Sequence, residues 1–137
     1  MNTTEYTTHF SLWAMLAAPL VAGNDVRSMT PEIHDILTNK EVIAIDQDAL
    51  GKAAHRASKD GDTEVWLRPL SGGAHAVALF NRGAAEAHME VKWESLALPG
   101  NLQVRDLWAH KNLGLKGRGF DASVPAHGVV LLRVSER

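Results

Sequence analysis

Residues 9–25 have the sequence HFSLWAMLAAPLVAGND. The first half is apolar at helical spacing, and Pro19 ends the helix because proline lacks a backbone donor and clashes with the preceding turn. Residues 20–22 are apolar on both faces, which is typical of a parallel strand covered by helices. The stretch therefore predicts one helix-to-strand step of an α/β barrel or sheet. Because the step stands at the start of the chain, we expect the first part of that architecture to be missing.

The helix before Pro19 is predicted to begin at a Thr3 or Thr4 cap and to run to about Ala18. Apolar side chains recur every three or four residues along it, so we expect the helix to be buried on most sides. The residues that form this face are Tyr6, Phe10, Trp13 and Ala17, with Leu12 and Leu16 broadening it.

A second helix is predicted to start at Thr30, with Pro31 at the first helical position and Glu32 in the first turn. Its buried stripe would consist of Ile33, Ile36 and Leu37, and Asn39 would end it. Residues 42–45 (VIAI) are apolar on both faces and are predicted to form a second strand, which Asp46, Gln47 and Asp48 follow.

After about Arg56 the hydrophobic period changes to two, and turn residues separate short segments. This pattern predicts an antiparallel β-sandwich, so we divide the chain into residues 1–52, α/β, and 53–137, all-β. The predicted strands lie at residues 65–67, 76–80, 87–93, 102–107, 119–124 and 129–134. Two glycine pairs, Gly72 with Gly73 and Gly117 with Gly119, are interpreted as hairpin turns, and His127 as part of another turn.

The composition excludes several classes of protein. A hydrophobic content of 45% argues against a disordered chain, and a net charge of −2 without a basic patch argues against nucleic-acid binding. With no cysteine there is no disulfide, thiol nucleophile or thiolate metal site. The apolar run at residues 10–22 is shorter than the ~20 residues of a membrane span and is no convincing signal peptide.

Three acids follow the predicted parallel strands: Asp25 after the first, and Asp46 and Asp48 after the second. The carboxyl ends of barrel strands form the catalytic face, so one of these carboxylates could line a substrate pocket. The alternative, which we favour, is that they cap helices or hold loops together.

The histidines and tryptophans have ordinary structural explanations. The seven histidines are dispersed and lack metal-ligand spacing, so no metal site is predicted. Trp13 is assigned to the core, and Trp66 and Trp108 to the inner face of the sandwich. Trp93 is expected to be exposed at a strand end, and Trp93 or Trp108 could stack on a sugar ring. The histidines are His9, His34, His55, His75, His88, His110 and His127.

Several motifs, in order and at matching spacing, resemble glycoside hydrolase family 27, the α-galactosidases or melibiases and their α-N-acetylgalactosaminidase and arabinopyranosidase relatives. The resemblance covers nearly the whole chain and is to the C-terminal third of the family. It implies the end of a (β/α)8 barrel, with the seventh strand at residues 18–24 and the eighth at 42–45, followed by a β-sandwich from about Ala53. The motifs lie at residues 8–20, 23–27, 42–51, 64–66, 76–83, 104–108 and 124–132.

The resemblance implies hydrolysis of terminal α-D-galactosides with retention, by two aspartates on the fourth and sixth barrel strands. Both precede the matched segment, and the family's Lys-Tyr-Asp and Asn-Asp-Pro-Asp-Met signatures are absent from this sequence. We therefore assign no catalytic, cofactor-binding or metal residue, expect no cofactor, and expect the chain alone to be inactive. An α-galactoside would be its substrate only together with the missing barrel portion, in a parent whose extracellular or periplasmic location stays open. The alternatives are a non-catalytic β-sandwich that binds carbohydrate or a protein, and a truncated product without function.

Overall fold

The computed structural model describes residues 3–16 and 31–136, without the side chains of Ile33 and Leu37. The described helices are α1 (Thr3–Met15), α2 (Pro31–Leu37) and α3 (Lys40–Asp46). All the described strands follow them. They are β1 (His55–Asp60), β2 (Thr63–Pro69), β3 (His75–Asn81), β4 (Ala87–Lys92), β5 (Leu102–Asp106), β6 (Lys111–Lys116), β7 (Gly119–Val124) and β8 (Val129–Ser135).

Within the described residues, the strands form a six-stranded sheet in the order β1-β2-β3-β8-β5-β6 and a two-stranded sheet of β4 and β7. Every pair is antiparallel. The two sheets enclose an aliphatic core, which includes Leu79, Val91 and Leu132. The predicted antiparallel sandwich is therefore confirmed, and the six predicted strands lie within or overlap β2, β3, β4, β5, β7 and β8.

Strand β3 is buried on both faces because a layer of helices covers the outside of the six-stranded sheet. Successive side chains of a strand point to opposite faces. Val77 and Leu79 face the two-stranded sheet, whereas Ala76, Ala78 and Phe80 belong to a second core that contains helical residues. Helix α1 contacts β2, β3 and β8 directly.

The second predicted strand, residues 42–45, is wrong because these residues belong to α3. The Asn39 side chain accepts hydrogen bonds from the amides of Glu41 and Val42 and so caps the helix. Val42 and Ile45, three positions apart, then lie on one buried helical face. The other predicted parallel strand, residues 18–24, and Ala17 lie outside the described residues.

Helix α1 covers Thr3–Met15, and its most buried residues coincide only in part with the predicted face. The cap at Thr3 or Thr4 stays a prediction. Phe10, Ser11, Ala14 and Met15 are buried, whereas Leu16 is 40% exposed. Within α1 only Thr3 and His9 are exposed, and Tyr6, Leu12 and Trp13 are partly buried, so the helix is covered on most sides as expected. In α2, Ile36 is buried as predicted.

Two strands and one connection were also missed by the sequence pattern. Strand β1 is exposed along its whole length, and β6 carries a glycine in its middle, so neither shows clear alternation. Gly72 and Gly73 do form the turn of the β2–β3 hairpin. Residues 117 and 118 instead connect β6 to β7, which begins at Gly119; because the two strands belong to different sheets, this connection is a crossover and not a hairpin turn.

Candidate functional site

The most unusual buried residue of the described structure is an arginine on the sheet face that the helices cover. Arg68 lies on β2, and its relative exposure is 0%. Its guanidinium reaches the C-terminal ends of α1 and α3 and the segment that precedes β1. We call this group of residues, Ala14, Ile45, Asp46, Lys52 and Arg68, the junction.

Backbone carbonyls supply the hydrogen-bond acceptors for Arg68. Nε donates to the Lys52 carbonyl at 2.7 Å, and Nη1 donates to the carbonyls of Ala14, at 2.6 Å, and Ile45. Nη2 donates to the Asp46 carbonyl at 3.4 Å.

The last carbonyls of a helix lack intrahelical donors and carry the negative end of the helix dipole. A single cation at the junction therefore satisfies the ends of two helices. Burial lowers the pKa of Arg68, and the negative charges of Asp48 and Asp46 oppose that shift.

Asp46 ends α3 at this junction, not a strand as the sequence pattern predicted. Its Oδ1 is buried and has no hydrogen-bond partner among the described residues. Burial raises the pKa of Asp46, and the nearby Arg68 charge lowers it less. The ionised carboxylate is therefore poorly accommodated at its own site.

Asp48 connects the segment after α3 to the β2–β3 hairpin. One carboxylate oxygen accepts from the amides of Leu50, at 3.0 Å, and Ser71, at 2.8 Å. The other accepts from the Ser71 hydroxyl at 2.8 Å. Burial raises the pKa of Asp48, but these hydrogen bonds and the Arg68 charge together hold it below its ordinary value. Asp48 thus has the loop-holding role that we favoured, and Asp25 lies outside the described residues.

Further polar contacts surround the junction. Asn39 Nδ2 donates to the Leu107 carbonyl at 3.3 Å, and Trp108 Nε1 donates to the Ser11 hydroxyl at 2.8 Å. The Thr8 hydroxyl donates to the carbonyl of His127, whose φ of 56° places it in the predicted turn. Each contact joins a helical residue to the β-sandwich.

The carboxylate of Glu41 on α3 provides a charged contact with the sandwich. It accepts from Arg105 Nε and, at 3.2 Å, from Arg105 Nη2, and it also pairs with His110 Nδ1. The hydrogen bond from Arg105 is the main reason that the pKa of Glu41 is lowered.

The tryptophans differ from the sequence-based assignments. Trp93 is 1% exposed in the inter-sheet core, with Nε1 donating to the Lys116 carbonyl, so the expected exposure is wrong. Trp66 and Trp108 pack against the helix-side core and not between the two sheets. Trp13 is only partly buried, and its ring centroid lies 5.0 Å from that of His9.

No group of three or more potential metal ligands occurs in the part of the chain that the structure describes. None of the described helices is both long and apolar enough to cross a membrane. Open clefts include one of about 350 Å³ between α1 and the sandwich and one of about 720 Å³ beside β4 and β7.

Comparisons with known proteins agree with both parts of this architecture. Residues 60–134 match the family model of the α-galactosidase C-terminal β-sandwich domain, and residues 1–48 match that of α-galactosidase A. The chain belongs to the α-galactosidase family. This confirms the resemblance seen in the sequence motifs. It also confirms the predicted fold class, a fragment of the α-galactosidase barrel domain followed by a β-sandwich.

Two plant relatives illustrate the similarity in sequence. The α-galactosidase of Coffea arabica is 47% identical over 130 residues, which are 93% of this chain and 34% of the relative. The α-galactosidase of Oryza sativa subsp. japonica is 43% identical over 129 residues, which are 93% of this chain and 31% of the relative. The chain thus spans about a third of the length of the relatives that it matches.

Solved structures share the fold. α-Galactosidase I from Mortierella vinacea superposes with a TM-score of 0.93 at 38% identity, over 99% of this chain and 36% of that one. A β-L-arabinopyranosidase from Geobacillus stearothermophilus superposes with a TM-score of 0.93 at 26% identity, over 100% of this chain and 31% of that one.

Sequence reasoning did not find the junction. One available signal was Arg68 itself, a cation within the otherwise apolar stretch of residues 65–70. A long cationic side chain among buried neighbours needs acceptors nearby. The other signal was Asn39 two residues before Glu41, an N-cap residue followed by an acid in the first turn.

Proposed function

We propose that this chain provides the C-terminal segment of a retaining glycoside hydrolase that acts on terminal α-D-galactosides. The observation that carries the proposal is the likeness to α-galactosidases through both of its parts, joined in the same arrangement as in the solved relatives. In this function the segment holds the last helices of the catalytic domain against the β-sandwich.

The junction supports this role because it fixes the helices at their C-terminal ends. Arg68 binds carbonyls of α1 and α3 from β2, which is paired on both sides, and Asn39 and Glu41 reach β5 and the turn after it. Catalytic groups must be held within a fraction of an ångström, so a barrel benefits from helices that cannot shift.

The two described acids that the sequence offered as pocket residues, Asp46 and Asp48, lie at a helix end and in a loop contact. Retaining hydrolysis requires two carboxyl groups about 5 Å apart across the scissile bond. Both oxygens of Asp48 accept hydrogen bonds from Leu50 or Ser71, and Asp46 lies at the junction. We therefore extend the proposal: the reacting carboxylates are supplied by another part of the hydrolase, and these 137 residues alone do not hydrolyse α-galactosides.

An assay of the purified chain on melibiose and on 4-nitrophenyl α-D-galactoside tests the second part of the proposal. We expect no product above the buffer blank. Hydrolysis that disappears in Asp46→Asn or Asp48→Asn would contradict it, because a local acid would then take part in the reaction.

A chimera tests the positive role. In it, this chain replaces the 130-residue matching segment of the Coffea arabica α-galactosidase. The control chimera carries the equivalent segment of the Oryza sativa enzyme, which shows whether the boundaries are tolerated. Hydrolysis of melibiose by both chimeras supports the proposal. The proposal is overturned if the control chimera is active while the chimera that carries this chain is folded but inactive.

A further inference from the structure

Exposed leucines lie where the helices of the outer layer end. Among the described residues, the exposed large hydrophobic side chains are Leu16, at 40% relative exposure, Leu50, at 43%, and Leu115, at 48%. Leu115 lies on the edge strand β6. Leu16 follows α1 directly, and Leu50 follows α3. Two of the three leucines therefore lie next to the junction.

Hydrogen bonds hold the backbone around these two leucines in place. The amide of Ala54 donates to the Met15 carbonyl at 2.7 Å, so the segment that carries Leu50 runs beside the end of α1. The amide of Leu50 itself donates to the Asp48 carboxylate at 3.0 Å. Because the junction also fixes both helix ends, the leucines are exposed on a preformed surface.

The exposed residues of both helices point away from the sheet. An α-helix has 3.6 residues per turn, so Leu16 falls on the side of α1 opposite its buried residues. Ala44 is exposed in the same way on α3, opposite Val42 and Ile45. The buried residues of both helices belong to the core that they form with the six-stranded sheet. The opposite sides of the helices therefore lie outside that core.

This outer surface carries little charge. None of the exposed residues at positions 43–51 is charged, and the two acids of that stretch, Asp46 and Asp48, are partly buried. A low density of charged residues together with exposed leucines is typical of the centre of a protein interface. We call the following residues the helix-end surface: Leu16, Ala44, Gln47, Ala49 and Leu50.

We propose that the helix-end surface binds the remaining part of an α-galactosidase barrel domain. Residues 1–48, which carry all three described helices, match the α-galactosidase A family model, whereas the chain superposes on only 36% of the Mortierella vinacea enzyme. A barrel closes only when all its strands and helices join in one ring. The helices of this fragment therefore need barrel neighbours on the side that the sandwich does not cover. The inference rests on the proposed function and names the partner within it.

Co-expression of two polypeptides tests the proposal. This chain is produced together with a tagged Coffea arabica α-galactosidase that lacks its 130-residue matching segment. We expect the two to purify together and to elute as one complex in size-exclusion chromatography, since each covers apolar surface of the other. In the control pair, the omitted Coffea arabica segment takes the place of this chain.

Substitutions locate the contact. Leu16→Asp and Leu50→Asp each bury an unpaired charge in the complex, and each should weaken it by about tenfold or more. The readout is the dilution at which the chain leaves the immobilised partner. Leu115→Asp is the matched control, because it introduces the same charge at an exposed leucine of β6, and it should leave the affinity unchanged. The Tm of each variant shows whether it is folded, and Leu16→Ala or Leu50→Ala replaces a variant that is not.

Several outcomes would reject the proposal. They are assembly of the control pair alone, assembly of neither pair, and equal weakening of the complex by Leu115→Asp. Self-association of the chain through Leu16 and Leu50 would also reject it, because the surface would then belong to a dimer. The proposed hydrolase function would survive each of these results, since the chimera joins both parts in one polypeptide. Conversely, an inactive chimera beside a stable complex would reject the hydrolase function and leave the binding in place.

Discussion

The two faces of the six-stranded sheet are packed by different means. The face toward β4 and β7 buries large aliphatic side chains such as Leu79, Leu132 and Val134. The face toward the helices also has large side chains, Phe80 and Leu131, but it carries the alanines of β3, at Ala76 and Ala78, and beside them the fully buried cation of Arg68. Burial of large apolar surface thus holds the sheets together, while directed hydrogen bonds contribute much of what places the helices.

The difference follows from how much area each residue can remove from water. A buried Leu contributes roughly 1.5–3 kcal/mol by transfer from water, and an alanine much less. Alanines let helices approach the sheet closely but hold them weakly. The polar contacts of Arg68, Asn39 and Ser11 specify where α1 and α3 end and how they are oriented.

The largest effect is expected for Arg68→Met, which keeps the bulk of the side chain and removes its donors. The carbonyls of Ala14, Ile45, Asp46 and Lys52 lose the donors of Arg68, and we expect a loss of about 4 kcal/mol in the free energy of unfolding. Urea unfolding followed by far-UV circular dichroism measures it, with the helical signal lost first.

Arg133→Met is the matched control for this variant because Arg133 is an exposed arginine of the same sheet, on β8. It should change stability by less than about 0.5 kcal/mol. Equal losses in both variants would mean that the junction contributes nothing specific.

The opposite face of the sheet gives the second prediction. Leu79→Ala leaves a cavity in the inter-sheet core and should cost about 3 kcal/mol, whereas Leu79→Met, which conserves volume, should cost less than about 1.5 kcal/mol. Because the helices depend on this sheet, we expect the circular dichroism and tryptophan fluorescence transitions of Leu79→Ala to coincide. Separate transitions would contradict this.

The Asn39 side chain has two roles, capping α3 and donating to the Leu107 carbonyl of the sandwich, and substitutions can test them separately. Asn39→Ala removes both and should cost about 1–2 kcal/mol. Asn39→Asp keeps the acceptor for the amides of Glu41 and Val42 but loses the donor to the Leu107 carbonyl, so its loss should be smaller. If the Tm of Asn39→Asp is equal to or lower than that of Asn39→Ala, the Asn39 side chain does not stabilise α3 by capping it.

The smallest effects, of opposite sign, are expected for the two acids near the junction. The pKa of Asp46 in the folded chain is raised above its ordinary 3.8, so folding favours the protonated carboxyl group. This contribution to stability is fully present below pH 3.8 and is lost as the pH rises through the raised pKa. The pKa of Asp48 is lowered, so its contribution is present above pH 3.8 and is lost as the pH falls through the lowered value.

At neutral pH, Asp46→Asn should therefore be more stable than the unsubstituted chain, and Asp48→Asn less stable. The difference for Asp46→Asn should shrink as the pH falls to 3.8, and that for Asp48→Asn only as the pH falls further, through the lowered pKa of Asp48. Thermal unfolding at these pH values measures them, and effects of the same sign at neutral pH would refute this assignment of the two acids.

The same difference explains what the sequence could predict. Short apolar runs bounded by turn residues, such as residues 76–80 and 129–134, indicate buried strands, so six of the eight described strands were predicted. Strand β1 has no buried side chain, and therefore no hydrophobic pattern marks it. The division of the chain at residues 52 and 53 and the absence of catalytic, cofactor and metal residues stay predictions.

The helix layer could be predicted less well because its determinants are distant in sequence. The four residues 42–45 are apolar and mostly β-branched, and such a short run fits a buried strand or a buried helical face equally. The choice is made by the Asn39 cap and by Arg68, which is 23 residues beyond Ile45 along the chain. No local period contains that information.

Amide hydrogen exchange of the unsubstituted chain and of Arg68→Met, resolved along the sequence by mass spectrometry, tests the central claim most directly. If the guanidinium fixes the helices, the substitution removes most of the protection of α1 and α3 while β3 and β8 keep theirs. Loss of protection at an equal rate in helices and strands, or unchanged protection of α1 and α3, would show that the helices do not depend on Arg68.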